Sequence, residues 1–211
     1  MKKKRTNLTG YKLFEYAKTI IPGGSQLFGK RAELYVPGIW PSYYKNAKGC
    51  QITDLNKKKY LDFTMVGTGT SVLGYANNYV NSAVSKAVRD GSISTLNNEE
   101  EVELAETLID LHPEMGMVRY ARSGGEILSI AIRISRAFTK RNKVAICGYH
   151  GWHDWYLSSN LKNPNRLANH LLPNLEANGV PSSMFGLTVP FEFNKPKSLE
   201  KILKKDPNGF A

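Results

Sequence analysis

Two stretches decide the fold of this chain: MVRYARSGGE at residues 117–126 and KVAICGYHGWHD at residues 143–154. Met117–Ala121 and Lys143–Cys147 are short, β-prone runs, and apolar residues at helical spacing lie between them. A strand–helix–strand unit of this length is most often a right-handed parallel crossover. Both strands should therefore end at the same edge of one sheet, which is where open α/β sheets bind their ligands.

The helix between the two runs is predicted to bury one face. Its apolar stripe comprises Ile127, Ala131, Ile134 and Phe138, and its polar side comprises Ser129, Arg133, Arg136 and Lys140. Apolar residues at this spacing fall on a single side of an α-helix. We therefore expect the apolar stripe to pack on the sheet and the polar side to face water.

The exits of the two predicted strands carry complementary chemistry. Ser123, Gly124 and Gly125 stand where the helix begins, so free N–H groups and the positive end of the helix dipole favour a phosphate there. The second strand is followed by rings and titratable nitrogens, at Tyr149, His150, Trp152 and His153. A phosphorylated aromatic cofactor would suit both exits.

Together these segments resemble class III pyridoxal-phosphate aminotransferases, and glutamate-1-semialdehyde 2,1-aminomutase-like proteins in particular. The resemblance runs from about residue 21 to the end, and its segments are Ser123–Glu126, Ala131–Arg133, Arg136–Thr139, Arg141 and Gly148–Asp154. It implies an α/β fold: half of the large domain of a type I pyridoxal-phosphate-dependent transferase, with parallel βαβ crossovers, preceded by a small N-terminal helix and β-hairpin. It also implies that Ser123, Gly124 and Gly125 hold the cofactor phosphate, that Tyr149 stacks on the pyridine ring, and that His150 lies beside it.

The chain departs from the family pattern in two ways. Ile127 stands where relatives usually have Ala, and Lys140 stands where they usually have Gly. The Asp that pairs with the pyridine nitrogen and the Lys that forms the Schiff base lie further downstream in the family than the Tyr149 loop, and residues 1–211 do not reach them. The resemblance therefore implies an N-terminal portion that is inactive alone, with no catalytic residue of its own.

Two segments are predicted along the chain: residues 1–65, with a helix, a loop and a hairpin, and residues 66–211, the incomplete first half of the cofactor-binding domain. The predicted helices are Tyr11–Ile20, Asn77–Asp90, Asn98–Leu111 and Leu199–Leu203. The hairpin strands are Gln51–Leu55 and Tyr60–Phe63, and a further strand is Leu187–Pro190. In aminomutase-like relatives the early loop lies near the substrate, so the resemblance implies that Arg31 is a candidate partner for a substrate carboxylate, which a guanidinium can bind through two hydrogen bonds. The alternative is a solvated surface Arg.

Composition favours a globular protein over other classes. With 29 Lys and Arg against 18 Asp and Glu, the net charge is +11, which allows nucleic-acid binding as an alternative. However, the clusters at Lys2–Arg5 and Lys57–Lys59 are explained by a tail and a hairpin turn. Two distant cysteines and the lack of an apolar signal core or membrane span favour the cytoplasm.

The sequence leaves three functions open. The first is amino-group transfer on a small-molecule donor or acceptor, by a homo-oligomer or together with a second chain that supplies the missing half. The second is a non-catalytic module that binds a phosphate ligand or a partner, and the third is the nucleic-acid binding considered above. A metal site at His150, His153 and Asp154 is disfavoured, because the sequence offers no further ligand nearby.

Overall fold

The computed structural model describes residues 8–64, 67 and 69–211. The chain divides into two compact units, Met1–Asn97 and Asn98–Ala211. The first contains α1 (Gly10–Lys18), β1 (Tyr44–Lys48), β2 (Gln51–Asp54), β3 (Lys59–Leu61) and α2 (Asn78–Asp90). The second contains α3 (Glu100–Leu111), α4 (Gly124–Thr139), β4 (Val144–Ile146), α5 (Asp154–Leu157), β5 (Thr188–Pro190) and α6 (Pro196–Lys205). The predicted segment boundary between residues 65 and 66 stays a prediction, because both residues lie outside the described ones.

The first unit confirms the predicted N-terminal helix and hairpin. Helix α1 lies within the predicted range apart from its first residue, and it buries Phe14 and Ala17. Strands β2 and β3 pair antiparallel, and the carboxylate of Asp54 holds the turn between them by accepting the backbone N–H groups of Asn56 and Lys58. Two of the lysines predicted to lie in a hairpin turn, Lys57 and Lys58, do lie there, whereas Lys2–Arg5 lies outside the described residues.

Strand β1 was not predicted from the sequence. It pairs antiparallel with β2, which makes a three-stranded sheet in the order β1-β2-β3. Its sequence, YKNAK, lacks the alternation of apolar and polar residues that marks a half-buried strand. Four of its five residues are exposed, so pairing with β2 rather than burial defines this strand.

Helix α2 begins and ends where the sequence predicts. The side chain of Asn77 accepts the backbone N–H groups of Tyr79 and Val80, a standard N-cap, and Gly91 follows the last turn with φ +106°. None of its residues is buried within the first unit. The apolar stripe along Val80, Val84 and Val88 is therefore exposed.

The second unit is built on a short parallel sheet. Strand β4 pairs parallel with β5, with Val144 opposite Thr188. The hydrophobic core of the second unit consists of Val144, Ile146, Trp155, Tyr156 and Leu167. The predicted strands at residues 143–147 and 187–190 and the predicted helix at residues 199–203 are confirmed by β4, β5 and α6.

The predicted strand Met117–Ala121 is wrong for this structure. Its residues form no strand and pair with none of the described strands. A strand requires a neighbour whose N–H and C=O groups it can pair with, and β4 finds that neighbour in β5 instead. The parallel crossover therefore joins β4 to β5, through α5 and the long loop after it, rather than joining residues 117–121 to β4.

The predicted faces of α4 are also corrected. Leu128 and Ile132 pack against the core of the second unit, whereas Ile134 and Phe138, from the predicted buried stripe, are 58% and 88% exposed. The helix carries apolar residues on two sides, so periodicity alone does not identify the side that packs. Among the described residues, no helix combines the length and the apolar character needed to cross a membrane.

Candidate functional site

The start of α4 is fixed by its own side chains. The hydroxyl of Ser123 accepts the backbone N–H of Glu126 at 3.3 Å, and the carboxylate of Glu126 accepts the backbone N–H of Arg122 at 2.9 Å. This reciprocal arrangement resembles a capping box. The helix therefore starts at Gly124, and the backbone N–H groups of its first turn have no partner inside the helix.

The two glycines of this turn have different surroundings. A Cβ atom built on Gly125 would lie 2.6 Å from Nε2 of His153, which is too close for any side chain unless the imidazole moves. A Cβ atom built on Gly124 would meet no atom within 4 Å. Gly125 is therefore packed against the segment that follows β4, whereas Gly124 borders open space.

The aromatic loop after β4 lies against this glycine turn. Gly148 and Gly151 both have positive φ values, +91° and +95°, so the chain reverses tightly around Tyr149 and His150. A Cβ atom built on Gly151 would lie 3.3 Å from Cα of Gly125. The structure therefore brings together the two segments that the sequence predicted to share one edge.

The ring of Tyr149 makes T-shaped contacts with two neighbouring aromatic rings and stays partly exposed. Its centroid lies 6.3 Å from that of Trp152 and 6.2 Å from that of Tyr156, with steep interplanar angles of 69° and 88°. The residue is 52% exposed. Partial burial raises the pKa of its phenol, so a neutral aromatic ring is presented at neutral pH.

His150 points into the protein instead of outward. Its Nε2 lies 2.9 Å from the carbonyl oxygen of Cys147, and because a carbonyl only accepts, Nε2 must donate. The ring also makes an edge contact with Tyr156, with the centroids 5.8 Å apart. The observed role of His150 is therefore to close the loop, and its predicted position beside a cofactor ring stays a prediction.

A chain of hydrogen bonds joins α4 to the segment after the loop. The indole N–H of Trp155 donates to the hydroxyl of Ser129 at 3.0 Å, and that hydroxyl donates to the carbonyl of Gly125 at 2.9 Å. The sequence placed Ser129 on the solvent side of the helix, so this link was missed. It fixes the first turn of α4 relative to α5.

His170 and Tyr156 were not predicted from the sequence either, and both form hydrogen bonds with the backbone of Gly148. The backbone N–H of Gly148 donates to Nδ1 of His170 at 2.8 Å, and its carbonyl accepts the hydroxyl of Tyr156 at 3.0 Å. Tyr156 is fully buried, and burial raises its pKa to about 12. The local sequence gave no signal for His170, because it lies 22 residues downstream in an irregular segment.

Arg31 belongs to the first unit. Its guanidinium carbon lies 5.0 Å from the centre of the Phe28 ring, a cation–π distance. Its Nε is buried and has no hydrogen-bond partner among the described residues. The guanidinium therefore packs against its own unit, and its predicted contact with a substrate carboxylate stays a prediction.

The metal alternative gains no support from the geometry. His150 faces the carbonyl of Cys147, whereas His153 packs against Gly125. Within residues 8–64, 67 and 69–211, no group of three or more His, Cys, Asp and Glu side chains is placed to hold a metal ion. The two imidazoles thus have separate structural contacts.

Known proteins resemble this chain over nearly its whole length. It is 29% identical to a 3-aminobutyryl-CoA aminotransferase of Cloacimonas acidaminovorans over 94% of the chain, and 33% identical to a glutamate-1-semialdehyde 2,1-aminomutase of Wigglesworthia glossinidia brevipalpis over 95%. The chain spans only 44% and 45% of these relatives. A solved transaminase with pyridoxal phosphate bound superposes with a TM-score of 0.72 at 27% identity, over 92% of this chain and 43% of that one.

The likeness extends to the family and to the fold. The predicted α/β fold of pyridoxal-phosphate-dependent transferases is confirmed by the structural match. The family model described as aminotransferase class-III matches residues 37–202, a range that includes both the glycine turn of α4 and the aromatic loop. On this evidence the chain belongs to the class III aminotransferase family.

Proposed function

We propose that this chain provides the phosphate and ring contacts of a pyridoxal-phosphate-dependent enzyme that transfers amino groups to or from small molecules. The observation that carries the proposal is the contact between Gly125 and Gly151, which places the glycine turn of α4 and the Tyr149 loop side by side. The chain's relatives include an aminotransferase and an aminomutase. Both activities move amino groups, so we propose amino-group transfer as the reaction class and name no particular substrate.

The phosphate is assigned to the start of α4. Space is open beside Gly124, which is the first residue of a helix of 16 residues, where backbone N–H groups lack partners within the helix. These donors and the helix dipole favour an anion. Ser123 contributes indirectly, because its hydroxyl already accepts the N–H of Glu126 and so fixes where the turn begins.

The pyridine ring is assigned to Tyr149. Half of the residue stays exposed beside its T-shaped contacts with Trp152 and Tyr156, and we assign this exposed surface to offset stacking with the pyridine ring. His150 keeps the loop closed from inside. When bound, pyridoxal phosphate serves as an electron sink for the carbon that carries the amino group.

We assign the catalytic lysine and the acid that pairs with the ring nitrogen to polypeptide outside residues 1–211. The chain covers less than half of its relatives' length, and the family resemblance places both groups downstream of the aromatic loop. A homo-oligomer, or a complex with a second chain carrying them, would complete the enzyme. The chain alone would then bind the cofactor without turnover.

Location in a reducing compartment such as the cytoplasm fits the same proposal. Cys50 and Cys147 are both free thiols. Membrane or nucleic-acid partners are not needed by the proposed chemistry. No described contact favours the nucleic-acid alternative, since Lys57 and Lys58 lie in a hairpin turn.

Borohydride reduction tests the assignment of the lysine. The purified chain is mixed with pyridoxal phosphate, reduced, digested and mapped by mass spectrometry. We expect scattered, substoichiometric labelling of surface lysines. A stoichiometric adduct on one particular lysine would show that the chain carries its own catalytic lysine. Reversible binding without such an adduct, with no activity until the missing half is added, would support the division proposed here.

A further inference from the structure

The backbone of Gly148 is held on both sides by side chains from outside its loop. Its N–H donates to Nδ1 of His170 at 2.8 Å, and its carbonyl accepts the hydroxyl of Tyr156 at 3.0 Å. Gly148 also has φ +91°, a conformation that side-chain-bearing residues rarely adopt. Tyr149 is the next residue, so these two bonds restrain the backbone from which its side chain extends.

His170 is itself anchored to the core of the second unit. Its backbone N–H donates to the carbonyl of Leu167 at 3.0 Å, and Leu167 is fully buried in that core. The N–H of Leu167 in turn donates to the buried side chain of Asn160 at 3.0 Å. The imidazole is therefore a fixed acceptor rather than a mobile surface group.

We infer that His170 is a positioning residue for the proposed cofactor site, acting through Gly148 to hold Tyr149 beside the glycine turn of α4. The inference deepens the proposed function and depends on it for the identity of the ligand. The hydrogen bond from Gly148 to His170 does not depend on it. A segment with no helix or strand, residues 161–180, thus has a defined task at the site.

The bond requires a neutral imidazole, because a protonated Nδ1 cannot accept. Burial lowers the pKa of His170 below its ordinary value of 6.5, the nearby His150 lowers it further, and Glu192 opposes the shift. Tyr156, which faces the same loop, stays neutral because burial raises its pKa. The unfolded chain therefore takes up the proton first, so the contribution of this bond to stability is complete above pH 6.5 and is lost as pH falls through the lowered pKa.

The test compares three forms of the full chain: wild type, His170→Asn and His170→Leu. The amide oxygen of Asn can replace Nδ1 as an acceptor, and it does not titrate, whereas Leu cannot accept. Amide hydrogen-exchange protection of residues 148–150 is measured without cofactor at about pH 7.5 and about pH 5.5, together with the Kd for pyridoxal phosphate at the higher pH.

After correction for intrinsic exchange, we expect the protection of residues 148–150 in wild type to fall about tenfold from the higher to the lower pH. The protection in His170→Asn should stay constant, and the protection in His170→Leu should be low at both pH values. The Kd for pyridoxal phosphate should rise about tenfold in His170→Leu and little in His170→Asn. The Asn variant and the wild type share every other titrating group, so a difference in the pH dependence of their protection is due to His170.

The possible results distinguish the role of His170 in holding the loop from the proposed binding of the cofactor. Equal protection in all three forms at both pH values would overturn the role of His170. If His170→Leu does not fold, the same pH dependence in wild type and His170→Asn would overturn it equally. An unchanged Kd in a folded His170→Leu chain would remove its role at the cofactor site. If no form binds pyridoxal phosphate, the proposed function fails, while the exchange data still decide whether His170 holds the loop.

Discussion

Lys140 adopts an unfavourable backbone conformation at the C-terminal end of α4. It caps α4 with φ +58° and ψ +25°, the left-handed conformation. Glycine is the usual residue at such a position because it lacks the Cβ atom that makes this conformation unfavourable. The family resemblance also places Gly here. The structure thus explains why this departure from the family pattern should cost stability.

We predict that Lys140→Gly is more stable than Lys140→Ala by about 1 kcal/mol. Both changes remove the positive charge, which interacts favourably with the end of the helix dipole, so the difference between them reports the backbone alone. Urea unfolding followed by circular dichroism gives both free energies. Equal stabilities for Gly and Ala would mean that the left-handed conformation of residue 140 is not strained.

At the same scale, the sequence identifies candidate site residues where the pattern is local. Ser123, Gly124 and Gly125 are recognisable because small residues stand before a helical run, and Tyr149 because a ring follows a strand. His170 and Tyr156 act on Gly148 from 22 and 8 residues away. The spacing of these residues in the sequence does not predict such contacts, because they form only when the long loop folds back on the core.

At the scale of elements, α4 is the clearest case of partial prediction. Its existence follows from the apolar spacing and from the Ser123 cap, but its packed side does not. With Leu128 and Ile132 on one side and Ile134 and Phe138 on the other, hydrophobicity supports either orientation. The hydrogen bond from Trp155 to Ser129 agrees with the orientation observed.

A matched pair of substitutions tests this orientation. Ile132→Ala removes a side chain that packs on the core, so we expect it to destabilise the chain by about 2 kcal/mol. Ile134→Ala changes a side chain that is 58% exposed, and it should alter stability by less than about 0.5 kcal/mol. Urea unfolding measures both changes. A larger loss for Ile134→Ala than for Ile132→Ala would show that α4 packs through its other side.

Segment 117–121 failed as a predicted strand for a related reason. A β-prone run becomes a strand only where a neighbouring backbone is free to pair. Strand β4 was predicted correctly because β5 offers that backbone. Local propensity is therefore informative about strands in this chain only together with knowledge of their partners.

At the scale of the whole molecule, many large apolar side chains are exposed. They include Val84 and Val88 on α2, at 56% and 62%, and Phe138 on α4, at 88%. Exposed apolar stripes on helices are typical of surfaces that another polypeptide covers. This agrees with the proposal that a further copy or a second chain completes the enzyme.

We predict that the purified chain associates in a concentration-dependent manner through such stripes. Val84→Lys should shift the midpoint of association to about tenfold higher protein concentration, because it places a charge in the apolar stripe of α2. Asn81→Lys, on the same helix, adds the same charge at an exposed polar position and should have little effect. Sedimentation velocity measures both. A monomeric wild-type chain at all concentrations would contradict this prediction.

If the glycine turn of α4 and the Tyr149 loop form one cofactor site, binding should depend on the phosphate. The measurement is the Kd of the chain for pyridoxal phosphate and for pyridoxal, in wild type, in Gly125→Val and in the control Gly116→Val. A Cβ atom on Gly116 would meet no atom within 4 Å. We predict that wild type and Gly116→Val bind pyridoxal phosphate at least about tenfold more tightly than pyridoxal, and that Gly125→Val loses this preference. Equal affinities for the two compounds in wild type, or an unchanged preference in Gly125→Val, would contradict the claim.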